Sequence, residues 1–202
     1  MKDKLESLPN SFMAFKEYAM GLLGKYSSKE EDGALLIGND TSVAPLYYKA
    51  IIWLPISRHS IARYEQINEI EIPSSIKELL SIANGFEVLG LRVCGLSKSM
   101  LEAPPTIDRT PKNSCLDLCN HTKHASIGKN GYFCFGSAHW SQNENVNYFI
   151  TPEGEYVAML KKGKEVGRWH SLESFISGAV SQAIEFDKNP EANFEKTWWK
   201  VW

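Results

Sequence analysis

Between Ile127 and Leu160 the chain reads as β-sheet, and that stretch limits what the rest can be. Tyr132-Phe133-Cys134-Phe135 is a short apolar run with Gly131 before it and Gly136 after it. Such a run suits a central strand buried on both faces. Further on, Asn147–Thr151 and Tyr156–Leu160 flank Pro152-Glu153-Gly154-Glu155. Proline fixes φ for the first turn position and glycine reaches positive φ, so these four residues predict a hairpin turn. In the first arm Tyr148 and Ile150 share one face and Phe149 takes the other. A sheet apolar on both faces needs cover on both, or cover plus a partner.

A chain of 202 residues buries roughly 70% of its unfolded surface, as one large domain or one domain with an extension. Its 22 basic and 24 acidic residues leave a net charge of −2, which offers no basic stripe for nucleic acid. Lys161-Lys162-Gly163-Lys164 reads as a solvated turn. The opening Met-Lys-Asp-Lys-Leu-Glu-Ser is charged and lacks the apolar centre of a secretory signal. No run approaches the ~18 apolar residues that span a bilayer. Cys94, Cys115, Cys119 and Cys134 are too sparse for a disulfide scaffold, which points to reduced thiols in a cytosol. The expectation is a cytoplasmic protein that binds neither nucleic acid nor membrane.

Along the chain, Asn10 or Ser11 caps a helix to about Lys25, with Phe12, Phe15, Ala19, Leu22, Leu23 and Tyr26 at helical spacing. Ser27–Gly33 reads as a charged loop, Leu35–Ile37 and Leu46–Leu54 as strands, and Gly38–Ser42 as the turn between them. Residues 1–54 thus read as a helix-hairpin extension that packs on a domain of residues 55–186. Ser57 caps a helix through about Asn68. The clearest helix runs from Pro73 to Asn84-Gly85, with Ile76, Leu79, Leu80 and Ala83 on one stripe. Pro73 suits its first position and Asn84-Gly85 a left-handed exit. Val88–Leu96 alternates weakly as a strand, and Ser97–Ser114, with three prolines, is a long loop. Cys115–Lys123 reads as a short helix and Val166–Trp169 as a strand; Ser171 caps a last helix from Leu172 to about Phe186. Residues 187–202 form a tail ending in Trp198, Trp199 and Trp202, which either dock on the domain or form an exposed apolar patch.

Several constellations invite chemistry. Cys115, Cys119, His121 and His124 are zinc-ligand types. On a helix, however, the two cysteines lie about 40° apart while the histidines fall on the opposite side, so the expectation is no metal. Cys134 with His139 is a candidate nucleophile and base, but a thiol inside an apolar run is held protonated and inert. Gly136-Ser137-Ala138-His139 lacks the frame of a nucleophile elbow. No catalytic residue and no cofactor is expected. Gly136–Asn145 is the more informative segment, a polar loop between sheet strands. It carries His139, Trp140, Gln142, Asn143 and Glu144, and tryptophan is enriched where interfaces concentrate their energy. Trp140 either folds back on the sheet or, with the Pro104-Pro105 loop, helps form a partner-binding surface.

The order of these pieces resembles the SMI1/KNR4 family, also called the SUKH superfamily. The residues carrying the resemblance are Glu65 on its helix, Ile70-Glu71-Ile72-Pro73 leading to Asn84-Gly85, and Gly95-Leu96. They continue with Ile127–Gly136, the Phe149–Gly154 hairpin and Trp169-His170-Ser171-Leu172-Glu173-Ser174-Phe175-Ile176. The family pattern has Leu where this chain has Ile72, and residues 1–54 and the tail lie outside it. The resemblance implies an α+β fold with a central, mostly antiparallel β-sheet packed by helices. It implies a non-enzymatic binding protein, first an immunity protein that neutralises a cognate bacterial toxin of nuclease or deaminase type. The alternative is an adaptor in a signalling or assembly complex.

Overall fold

The glycine-bounded run and the Pro-Glu-Gly-Glu turn build the middle of a nine-stranded antiparallel sheet. The computed structural model describes residues 1–31, 33–45, 47–96, 116–121, 131–139 and 145–189, with the backbone alone at 117, 118 and 121. The strands are β1 (Ser27–Glu31), β2 (Ala34–Asn39), β3 (Tyr48–Trp53), β4 (Phe86–Val88), β5 (Leu91–Val93), β6 (Phe133–His139), β7 (Asn145–Ile150), β8 (Tyr156–Leu160) and β9 (Glu165–Trp169). Each pairs with its neighbour in sequence, so spatial order equals chain order. The helices are α1 (Lys2–Glu6), α2 (Met13–Leu22, entered through a 3-10 turn at Asn10–Phe12), α3 (Arg58–Asn68), α4 (Ser74–Ile82), α5 (Leu116–His121) and α6 (Leu172–Lys188).

One face of the sheet carries the main core. Phe12 and Phe15 meet Phe86 edge-on, each at 5.5 Å between centroids, so residues 1–54 share the core of the strands that follow. Their strands also share the sheet, because β3 pairs with β4. α6 seals the other half through Phe175. A serine capping box starts this helix: Ser171 Oγ accepts from Ser174 N at 3.1 Å, and Ser174 Oγ from Ser171 N at 3.2 Å. Gly178 lets the Trp169 indole lie on the helix, since a Cβ there would sit 2.5 Å from Trp169 Nε1. The opposite face holds two smaller apolar groups, Cys134, Phe149, Val157 and Met159 in one and Ala34, Leu36 and Trp53 in the other. Tyr148 and Ile150 do face the main core and Phe149 the second face, as the alternation requires.

Ser57 caps α3 by accepting from Ser60 N at 3.1 Å. Near the other end Glu65 reaches across to α4. Its Oε1 accepts from Ile72 N at 2.8 Å and pairs with Lys77 Nζ at 2.8 Å. Glu65→Ala strips the acceptor from a half-buried N–H and is expected to cost about 1–2 kcal/mol. Urea denaturation checks this; an unchanged midpoint would mean that water replaces the carboxylate without loss.

The strand plan differs from expectation at four places. Ser27–Glu31 is not a loop but the edge strand β1. An edge pairs through one row of backbone groups and leaves its side chains in water, so it needs no apolar alternation, and its charges guard the open edge. Val88–Leu96 is not one strand. It folds back at Leu89 (φ 48°) and Gly90 (φ 88°) into the β4–β5 hairpin, and a leucine in the left-handed region conceals that turn from a residue-type reading. α4 begins after Pro73 and ends at Ile82 with Ala83 extended, and Gly85, at φ 85°, is the left-handed residue. Finally, Gly136–His139 is strand rather than loop.

Candidate partner-binding surface

Strand register assembles a polar row on the second face. Glu87 pairs with Arg92 across the β4–β5 hairpin, Arg92 with Ser137, and Ser137 with Asn147. Residues directly opposite in a sheet share a face, so the four side chains form one line across β4, β5, β6 and β7. Apolar residues bound the line, Ile51 opposite Glu87 and Met159 opposite Asn147. The next pair on this face of β6 and β7 is His139 with Asn145.

The row is ordered. Arg92 Nε donates to Glu87 Oε1 at 2.7 Å, with side chains 42% and 23% exposed. A pair so exposed adds little stability, but it presents both charges at fixed positions. Asn147 is buried at the far end. Two close approaches hold the supporting strands. A Cβ on Gly136 would lie 2.6 Å from Arg92 O, and one on Gly90 would lie 3.2 Å from His139 Cδ2. The bare β4–β5 turn therefore sits beside the exposed His139 at the end of β6.

Of the residues expected at the site, the structure places His139 here. Trp140, Gln142, Asn143, Glu144 and the Pro104-Pro105 loop lie outside the described residues, as do Trp198, Trp199 and Trp202. Glu87, Arg92 and Asn147 belong to no motif in the sequence. The usable signal was an acid and a base placed symmetrically about Leu89-Gly90.

No family model, curated protein or solved structure matches this chain. The chemistry open to it is therefore argued from its own groups. Cys134 faces the second apolar group. A hydrogen bond with Cys119 and then burial push its thiol well above the ordinary range, so it is a poor nucleophile at neutral pH. Cys115 and His124 lie outside the described residues, as does the side chain of His121. Among the described residues no group of three His, Cys, Asp or Glu is placed to hold a metal ion, and no helix is long and apolar enough to cross a membrane. A groove of about 580 Å³ between α3 and α4 is lined by Arg58, Glu65, Lys77 and Glu78 among others. Its Glu65 and Lys77 already satisfy each other.

Proposed function

We propose that this chain is a non-enzymatic protein-binding module of SMI1/KNR4 type, acting as an immunity protein. It binds a cognate bacterial toxin of nuclease or deaminase class and occludes the toxin's active site. The observation that carries this reading is the Glu87-Arg92-Ser137-Asn147 row, with His139 beside it, lying between the two apolar groups of the second sheet face. A face used for packing alone gains nothing from an ion pair and an amide. Fixed polar groups beside apolar side chains set register and reject wrong partners, which is how interfaces gain specificity.

The residues carrying the family resemblance also hold structural posts here. Glu65 ties α3 to α4, Asn84 ties the end of α4 to Leu96, and Phe175 seats α6 on the sheet. These posts support reading the chain as a scaffold of that kind, with its polar row on the second face of the sheet. Inhibition is then stoichiometric, through an interface of roughly 1,600 Å².

The test is a pull-down from the native lysate and secreted fraction, followed by co-expression of any toxin-like partner. One partner in equal ratio, with growth restored by this protein, is the expected result. Arg92→Glu combined with His139→Ala should weaken that complex at least about tenfold, with the melting temperature nearly unchanged. Full affinity in the double variant removes this surface from the site. Several unrelated housekeeping partners and no toxin would replace immunity with the adaptor reading.

A further inference from the structure

Three thiols meet where α5 lies on the sheet. Cys94 directly follows β5, and its N–H donates to Phe135 O at 2.8 Å. Cys134 is on β6. The Asn120 side chain clamps it from α5, donating to Cys134 O at 2.8 Å and accepting from Cys134 N at 2.9 Å. The same helix carries Cys119, which packs against both the main core and the second apolar group. Cys119 Sγ stands 3.1 Å from Cys94 Sγ. A disulfide needs about 2.05 Å, so the two sulfurs need only close by roughly 1 Å.

We propose that Cys119 and Cys94 form a reversible disulfide, with a low-molecular-weight disulfide as oxidant, that locks α5 to the end of β5. Cys119 is half-buried, whereas Cys94 is 3% and Cys134 1% exposed, so Cys119 is the thiol that an external oxidant meets. Its thiolate attacks one sulfur of the small disulfide and expels one thiolate, which takes up a proton. Cys94, as thiolate, then attacks the Cys119 sulfur of the mixed disulfide and expels the second. Two protein thiols become one disulfide, and the small disulfide becomes two small thiols. Cys94 is the resolving group because its sulfur already stands 3.1 Å from that of Cys119, while Asn120 clamps the backbone of Cys134 in the β6 strand. The bond closes the chain between Cys94 and Cys119, 25 positions apart, and a closed loop of that size stabilises by restricting the unfolded chain.

The experiment treats the whole protein with excess oxidised glutathione or with dithiothreitol, then maps tryptic peptides without reduction. The expected link joins Val93–Lys98 to Asn113–Lys123. The second peptide also holds Cys115, so the map is repeated on Cys115→Ser. The link should persist there and in Cys134→Ser, and vanish in Cys94→Ser and Cys119→Ser. Oxidation should raise the melting temperature of the wild type by about 5 °C or more, reversed by dithiothreitol, and leave that of Cys94→Ser in place. A link through Cys115, a Cys119–Cys134 link, an intermolecular link or an unchanged thiol count each overturns the proposal. The wild-type and Cys115→Ser maps decide together if Cys94→Ser does not fold.

Discussion

Phe175→Ala is expected to cost about 3–5 kcal/mol, a large share of the stability of any domain. Phe175 is fully buried on the inner face of α6. Its ring lies 5.0 Å from Phe135, 5.1 Å from Tyr148, 5.4 Å from Tyr156 and 5.5 Å from Trp169, between centroids. Those four partners stand on β6, β7, β8 and β9, so a single side chain bolts the helix across half the sheet. Removing it forfeits the burial of a large ring and the aromatic contacts as well. The cavity cannot close cheaply, because its walls belong to strands whose spacing is set by backbone hydrogen bonds. The melting temperature should fall by about 10 °C or more, while Phe175→Leu, which refills most of the space, should lose less than half as much. A loss under about 1 kcal/mol for the alanine variant would mean that α6 is held chiefly by its contacts with α2.

That aromatic hub shows where the sequence was legible. The stripe on α6 and the alternation in Tyr148, Phe149 and Ile150 are periodic signals, and each side chain points where its period places it. Periodicity works because one face is buried. β1 and the β4–β5 hairpin escaped because that condition fails there: β1 is an exposed edge, and the hairpin arms have only three residues each. The candidate surface escaped for a related reason. Glu87, Arg92, Ser137 and Asn147 come from four strands, and only cross-strand register makes them neighbours. The thiol cluster is hidden in the same way, since Cys94 and Cys119 are 25 positions apart and meet through the placement of α5. His139 was visible as an exposed polar residue, but the strand that carries it was longer than its apolar run. Asn84-Gly85 was read correctly as a stop and incompletely as a device. The glycine turns the chain, while the asparagine reaches Leu96, past the end of β5 and twelve residues on.

The second large loss is expected from Gly95→Ala, and it tests that device. The end of α4 and the chain leaving β5 cross there at close range. A Cβ on Gly95 would sit 2.1 Å from Asn84 O and 2.6 Å from Asn84 Oδ1, both inside any tolerable contact. From the other side, a Cβ on Gly85 would sit 2.6 Å from Val93 O. The atoms in the way are mostly backbone, so no rotamer change relieves the overlap. The side chain of Asn84 needs this approach: it donates to Leu96 O at 3.0 Å and accepts from Leu96 N at 2.7 Å. Gly95→Ala must therefore separate the two segments and break both bonds, at an expected cost of about 3–5 kcal/mol. Asn84→Ala keeps the approach but leaves the buried N–H and C=O of Leu96 without the amide, for about 2–3 kcal/mol. The two changes damage one crossing, so the double variant should lose clearly less than the sum of the singles. Equilibrium denaturation of all four proteins provides the cycle. Additive losses would mean that the amide bonds survive the added methyl, and that the glycine matters for space alone.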